Sequence, residues 1–367
     1  MIQTSTIFTI TAAERDRVNG ELAAYLLAVA DLTSDLSAAN ARIAELEALL
    51  AQPHTGGLYV DGGKLYTKGG SEVQVRGVEG PYGPGAASNP ALAMSVVRSF
   101  GANSVGPLYQ PWIDLSYNPY DPAYDVATLD LNMIRAAAAQ QLAEAREQGI
   151  VVLFNPDHIP EARRDEFLFA PETIALLQSY DNVILSLGVE SYETNVADWK
   201  AARLADIAAV RAAGFTCPLK ISSPQGGRAP RWALTHGAEL LAADPLHNLI
   251  FTWQAYWKTT TAGWQYSHDQ GYPSAGTAGA LECAAEIAAS GLCFIVGLDG
   301  RDDVGNTPYA ELAAALHAAG VGWQWWALTG DGLGNNLTEH SLSATPVGDF
   351  GAPVKALLTA QAALPQL

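Results

Sequence analysis

Basic residues are scarce in this sequence, which has 20 lysines and arginines against 38 aspartates and glutamates and a formal net charge of −18. Nucleic acids and anionic membranes are bound through clustered cations, so neither partner is expected. The few cysteines, Cys217, Cys283 and Cys293, have an odd count and no CxxC spacing. We expect free, buried thiols rather than a disulfide framework.

Long apolar runs are missing as well. No stretch approaches about 18 consecutive apolar residues, so no membrane insertion is predicted. The N-terminus lacks the basic and apolar regions of a signal peptide, and we expect a protein made in the cytoplasm without a leader. The histidines are scattered without HExxH spacing, and neither a P-loop nor a GxSxG elbow occurs, so no metal and no cofactor are predicted.

The N-terminal part of the chain carries a heptad repeat. Thr11 and Glu14 form a capping box that starts a helix, and residues 13–52 are predicted to be a coiled-coil stalk. The predicted oligomerisation seam is Leu22, Val29, Leu32, Leu36, Ile43, Leu46 and Leu50, with Val18, Tyr25 and Ala39 at further seam positions. Leu26 and Leu49 widen the stripe and favour a homotrimer. The alternative is one amphipathic helix that packs on its own globular domain.

Two short segments flank the predicted stalk. Residues 1–12 alternate β-branched and polar types and are predicted to be a docking segment, in which a strand pairs with another protein of a particle or capsid. Residues 53–57 run from Pro53 to Gly57 and are predicted to end the helix in a hinge.

Residues 58–367 show strand–helix alternation. Leu58–Val60 and Lys64–Tyr66 form a predicted hairpin that caps the floor of a barrel. Eight strands are predicted at Val73–Val78, Ser104–Leu108, Val151–Phe154, Val183–Leu187, Pro218–Ser222, Leu249–Trp253, Cys293–Gly297 and Gly322–Trp326. Helical patterns lie at Leu129–Gln148, Asp198–Ala213, Thr277–Ala289 and Thr307–Ala319. This alternation predicts the α/β class and a closed (β/α)8 TIM barrel. Gly77–Gly80 is not GxGxxG, which disfavours an open doubly wound sheet.

The order of these segments resembles glycoside hydrolase family 5 and its clan of retaining (β/α)8 glycosidases. The likeness covers residues 58–345. Its matching segments are Val75–Glu79, Gly101–Val105, Gly149–Leu153 with Asp157 and His158, Val183–Leu185 with Glu190, Trp199 with Ile207 and Arg211, Trp253–Tyr256, Phe294–Gly297 and Gly322–Trp325. The resemblance implies hydrolysis by two carboxyls about 5–5.5 Å apart, with Glu190 as the acid/base.

The sequence departs from the family at several catalytic positions. The nucleophile's position holds Leu298, and Asp299 follows as a weak substitute that needs a β-bulge to reach the interior. Val189 replaces the family's asparagine, Gly106 its arginine and Gln254 its histidine. Catalytic groups act as a unit, so the departures imply degenerate catalysis. An inverting pair of Glu190 with Glu79, Asp157, Asp302 or Asp303 stays open.

Aromatic residues cluster at the predicted strand ends, where their planes can stack on sugar rings. The predicted saccharide-binding residues are Tyr82, Tyr109, His158, Trp253, Gln254, Tyr256, Trp257, Trp323 and Trp325, and Trp112 and Trp326 lie in the same cluster. The alternative is that alternate members, such as Trp323 and Trp325, fill the core.

The stalk-first layout resembles phage tail-fibre and capsid-decoration proteins. We therefore expect an oligomer displayed on a virion or other assembled particle, whose barrel binds polysaccharide with little or no catalysis. An active endo-glycosidase that acts on β-linked glycans through Glu190 is one alternative. An inert structural decoration protein is the other.

Overall fold

The computed structural model of this chain divides into two compact units, Met1–Thr55 and Gly56–Leu367. It describes residues 11–50, 57–80, 89–106, 129–156, 159, 161–188, 193, 195–224, 226–255, 276–299, 309–328, 337–338 and 343–360. Most of the predicted docking segment, residues 1–12, and most of the predicted hinge, residues 53–57, lie outside these ranges.

Helix α1 (Ala12–Leu50) is continuous over 39 residues. It begins with the predicted capping box: the Glu14 amide donates to Thr11 Oγ1 (3.2 Å), and the Thr11 amide donates to Glu14 Oε2 (3.1 Å). The bonds from the Thr11 amide and hydroxyl hold the pKa of the Glu14 carboxyl below its usual value. At about 1.5 Å per residue, the helix is roughly 58 Å long.

The heptad side chains of α1 are exposed wherever the structure describes them. Leu22, Val29, Leu32 and Leu36 keep 56%, 47%, 68% and 62% of their surface accessible in the single chain. The side chains of the remaining seam members, Ile43, Leu46 and Leu50, lie outside the described residues. The described seam positions therefore form an exposed apolar stripe in the single chain.

By length and composition alone, α1 would also suffice to cross a membrane, because an 18-residue window within Glu14–Ala41 has a mean hydropathy of 1.3. Glu21, Asp31 and Asp35 interrupt that stretch, and an aspartate at the centre of a bilayer costs about 2.5–3.5 kcal/mol. The uncharged run Leu22–Ala30 is far shorter than the ~20 residues of a typical span. The heptad spacing accounts for the same apolar residues without that cost.

The second unit contains a closed barrel of eight parallel strands, ordered β10-β3-β4-β5-β6-β7-β8-β9. These strands are β3 (Arg76–Glu79), β4 (Ser104–Gly106), β5 (Val151–Phe154), β6 (Val183–Ser186), β7 (Leu219–Ile221), β8 (Leu249–Ala255), β9 (Phe294–Asp299) and β10 (Gly322–Trp326). One or two helices follow each strand: α2 (Pro90–Ser99), α3 (Leu131–Glu147), α4 (Glu161–Leu168), α5 (Pro171–Gln178), α6 (Val196–Ala212), α7 (Pro230–Ala243), α8 (Gly276–Ala289), α9 (Tyr309–Ala318) and α10 (Gly348–Ala360). The predicted (β/α)8 barrel is confirmed.

Two hydrophobic clusters lie on opposite sides of the barrel wall. The inner cluster includes Val75, Leu153 and Ile295. The outer cluster joins other residues of the same strands, such as Val78 and Val152, to the surrounding helices. Successive strand residues face opposite sides, so the two clusters show which strand positions face the interior.

A hairpin of β1 (Tyr59–Asp61) and β2 (Lys64–Tyr66) closes the N-terminal end of the barrel. Leu58 and Leu65 belong to the inner cluster. The Val60 amide donates to Asn248 Oδ1 (2.9 Å), at the start of β8. The predicted floor cap is confirmed, and a ligand would therefore enter at the C-terminal ends of the strands, as in other barrels of this kind.

Candidate functional site

The barrel interior changes from aliphatic to polar toward the C-terminal ends of the strands. Strand alternation and register place thirteen residues on inward positions beyond or beside the aliphatic layer: Gly77, Glu79, Ser104, Gly106, Asn155, Ser186, Lys220, Ser222, Thr252, Gln254, Gly297, Gln324 and Trp326. The polar members of this set are buried, and Trp326 is partly exposed. Buried polar groups destabilise the fold unless they are hydrogen-bonded, so this layer differs from the aliphatic packing beneath it and is the candidate site.

Gln254, on β8, packs closely against two glycines. Its backbone amide donates to the Gly227 carbonyl (2.8 Å). A Cβ atom added at Gly227 would collide with Gln254 Cγ, and one added at Gly297 would collide with Gln254 Oε1. The Gln254 side chain is 3% exposed. It therefore occupies the volume that a side chain at position 297 would otherwise fill.

A second glutamine lies on the other side of Gly297. Gln324 pairs in register with both Gly297 and Gly77. Its Nε2 donates to Ser104 Oγ (3.2 Å). The absence of side chains at the two glycines gives both carboxamides room in the interior.

Lys220 brings a cation into the polar layer. It pairs with Ser186 and Ile250 on the neighbouring strands and is 6% exposed. Its Nζ donates to Ser186 Oγ (3.4 Å). Lys220 is not among the predicted site residues, although a charged residue inside the apolar run of β7 signals an inward polar position.

The rim of the site is formed where β9, β10 and β3 end. Trp326 pairs in register with Asp299, and Trp325 pairs with Val78, so Trp326 stands next to Glu79 on its other side. The Leu328 amide donates to the Glu79 carbonyl (2.9 Å), so the chain after β10 stays bonded to the end of β3. The rim thus sets a partly exposed indole between the buried Glu79 and strand position 299.

Position 298 lies on the outer face of β9. Leu298 is fully buried in the outer cluster and pairs in register with Trp325 and Ala255, which belong to the same cluster. Gly297 is on the inner face, so unbroken pairing puts position 299 there too, without a bulge. The β-bulge that the sequence predicted for Asp299 to reach the interior is therefore not needed, and Leu298 faces the surrounding helices. The side chain of Asp299 lies outside the described residues.

Three of the predicted saccharide-binding residues are core residues instead. Trp253, Trp323 and Trp325 are 1%, 0% and 0% exposed in the outer cluster. Trp325 packs edge-on against Tyr309, with ring centroids 5.1 Å apart. The prediction that these tryptophans line the cleft is wrong, because their strand positions face the helices. Trp326 is the tryptophan on the inner face of β10.

Other predicted site residues lie outside the described residues. They are Glu190, His158, Tyr82, Tyr109, Tyr256 and Trp257. Among the residues that the structure does describe, no group of three or more histidine, cysteine or acidic side chains is placed to hold a metal ion.

Comparison with known proteins shows a likeness of fold. No protein-family model and no curated protein matches the chain. The catalytic domain of a mannanase from Streptomyces sp. SirexAA-E has a TM-score of 0.64 at 18% identity, covering 85% of this chain and 94% of that one. The mannotriose complex of Thermomonospora fusca β-mannanase has a TM-score of 0.62 at 18% identity, with 85% and 98% covered.

A family 5 glycoside hydrolase, a cellulase from an Icelandic hot spring isolate, is similar as well. Its TM-score is 0.55 at 16% identity, and the match covers 85% of this chain and 97% of the cellulase. By their names, these neighbours are mannanases and a cellulase, one of them in complex with mannotriose. The second unit of this chain therefore has the fold of family 5 glycosidases.

Proposed function

We propose that the C-terminal end of the barrel binds a β-linked polysaccharide. The observation that carries this proposal is the buried polar layer beneath Trp326, where aliphatic side chains would suffice for folding alone. Sugars offer many hydroxyls for polar side chains and apolar C–H faces for an indole. The fold shared with mannanases, one of them a mannotriose complex, supports the same ligand class.

Titration calorimetry with mannohexaose and cellotetraose tests the binding. We expect Trp326→Ala to weaken the binding of the better ligand at least tenfold, as is typical when a tryptophan at the centre of a contact is removed. Tyr66→Ala, in the floor hairpin at the opposite end, is the matched control and is expected to bind like the wild type. Absence of binding to both glycans would favour an inert structural decoration protein.

We further propose that α1 assembles the chain into a homotrimer that is displayed on a virion or similar particle and docked through residues 1–12. The exposed seam of α1 supports the oligomer, because seam leucines at a and d positions are buried only when helices pair. Several weak glycan sites on one stalk would gain avidity. Such a protein needs little or no catalysis.

Sedimentation of the full chain tests the oligomer, and a trimer would have three times the 38.7 kDa chain mass. The double variant Val29→Glu and Leu36→Glu puts charges into the seam and is expected to sediment as a monomer. Leu27→Glu is the matched control, because Leu27 is at least as exposed as Val29 and Leu36, at 69% against 47% and 62%, but lies outside the seam. A monomeric wild-type chain would refute the trimer.

Endo-hydrolysis is the second candidate function, and the register of β9 favours it. The inward position at the end of β9 holds a carboxyl residue, Asp299, which would complete a catalytic pair with Glu190. Release of reducing sugar from mannan and cellulose tests this candidate. Glu190→Gln and Asp299→Asn should each abolish release, whereas Glu172→Gln, on the exposed surface of α5, should not. No release by the wild type would leave binding alone.

A further inference from the structure

Gln254 carries a buried acceptor with no donor. Gln254 is only 3% exposed, and its Oε1 is shielded from solvent. This oxygen nevertheless accepts no hydrogen bond. A buried amide oxygen left without a donor destabilises the folded state. Gln254 Oε1 lies in the space left by Gly297, and Gln254 Cγ lies against Gly227.

A partnered glutamine in the same barrel shows how such a group is normally satisfied. Gln74 is also 3% exposed, and its Nε2 donates to the carbonyls of His317 (3.1 Å) and Val321 (3.0 Å). Gln74 lies at the floor end, just before β3, where it ties the strand to the loop after α9. The two glutamines are therefore equally buried, but the Gln74 carboxamide has hydrogen-bond partners at Nε2, whereas Gln254 Oε1 has none.

We propose that Gln254 Oε1 accepts a hydrogen bond from a hydroxyl group of the bound glycan, and that the site selects neutral hexose units over uronic acids. This inference rests on the proposed glycan-binding function. An acceptor oxygen fixed in the interior requires a donor from the ligand. A sugar hydroxyl supplies this donor. A carboxylate at the same point is an acceptor like Oε1, so the two groups would repel each other and form no hydrogen bond.

Three variants separate a ligand-binding role from a structural one. Gln254→Met keeps the volume and removes the acceptor, so it should raise the melting temperature of the free protein and weaken binding of mannohexaose about tenfold. Gly297→Ala places a methyl group against Oε1, which is the far end of a flexible side chain, and should weaken binding while the protein still folds. Gln74→Met is the control: it should lower the melting temperature and leave affinity unchanged.

Competition by an oligomannuronate tests the selection directly. We expect titration calorimetry to show binding of mannohexaose at least tenfold tighter than that of mannuronate chains of the same length. The inference is overturned if Gln254→Met lowers the melting temperature as Gln74→Met does, if it binds mannohexaose like the wild type, or if the uronate binds more tightly. If the wild type binds no hexose oligomer at all, the proposed function itself fails.

Discussion

Removing the guanidinium of Arg211 tests how the barrel floor is stabilised. Arg211, in the last turn of α6, and Asp244, just after α7, form an ion pair with two bonds of 2.7 and 2.9 Å. Their side chains are 5% and 0% exposed. The guanidinium also donates to the carbonyls of Phe215 (2.8 Å) and Cys217 (2.9 Å). Arg211→Met leaves a buried carboxylate without its cation, which costs about 3–5 kcal/mol in free energy of unfolding.

The effect should depend on pH. Burial raises the pKa of Asp244, but the bonds and charge of Arg211, with the amides of Asn248 and Leu246, outweigh it, so the pKa lies below its usual value. Such a carboxyl stabilises the fold above its unfolded pKa of about 3.9, and the contribution is lost as pH falls through the folded value. In Arg211→Met the cation is gone and the pKa rises, so the variant loses less stability in acid.

Thermal unfolding followed by circular dichroism measures both effects. At pH 7, Arg211→Met should melt roughly 5–15 °C below the wild type, and this difference should shrink at about pH 3.5. Lys200→Met is the control, because its Nζ lies 3.0 Å from Glu239 Oε1 in an exposed bridge between the same two helices. We expect Lys200→Met to lower the free energy of unfolding by less than about 1 kcal/mol. Equal melting of both variants, or a pH-independent difference, would refute the reasoning.

Three further outcomes are expected. Trp325→Ala should cost about 3–5 kcal/mol in stability, as for other core tryptophans, yet bind glycan like the wild type under folding conditions; a binding loss in folded protein would contradict its outer-face position. Burial raises the pKa of the Cys293 thiol to about 12, so Ellman's reagent at pH 8 should react with it only after unfolding, and fast labelling of the native protein would contradict this. Gly77→Ala would collide with Ser104 Oγ and should lower the melting temperature, which a circular dichroism melt checks against Gly20→Ala, at a position with open space.

The barrel could be predicted from the sequence because strand and helix patterns alternate with little interruption. Val151–Phe154 and Gly322–Trp326 have their predicted bounds, and β9 runs two residues further than predicted, to Asp299. The helices α2, α5 and α7 start with proline at their first turn, which is a known start signal. They were not predicted, because their short apolar patterns are less regular than that of α3.

The faces of the strands could not be predicted. A barrel strand is buried on both sides, so its apolar residues run without the alternation that reveals a face. In Phe294–Asp299, nothing in the residue types tells whether position 298 or 299 faces inward. The register with β8 and β10 decides it. The same uncertainty misplaced Trp323 and Trp325, whereas the polar Gln254 and Gln324 were a usable signal of the inner face.

The helix α1 and its heptad pattern could be predicted without tertiary information, because each contact expected in a coiled coil repeats along one helix; the coiled coil itself stays a prediction. The number of helices in the assembly depends on the fit of side chains between chains, and Leu26 and Leu49 are weak determinants of it. The trimer therefore stays a prediction from sequence.

The contact between Gln254 and Gly297 has an evolutionary consequence. The space above Gly297 lies beside two neighbouring strands. The Gln254 side chain on β8 fills it because Gly297 on β9 has no side chain. Among homologues, a residue larger than glycine at the position of Gly297 should appear together with a shorter side chain at the position of Gln254. Such paired exchanges would move the acceptor from one strand to the next and, under the proposed glycan-binding function, would change which sugar hydroxyl is bound.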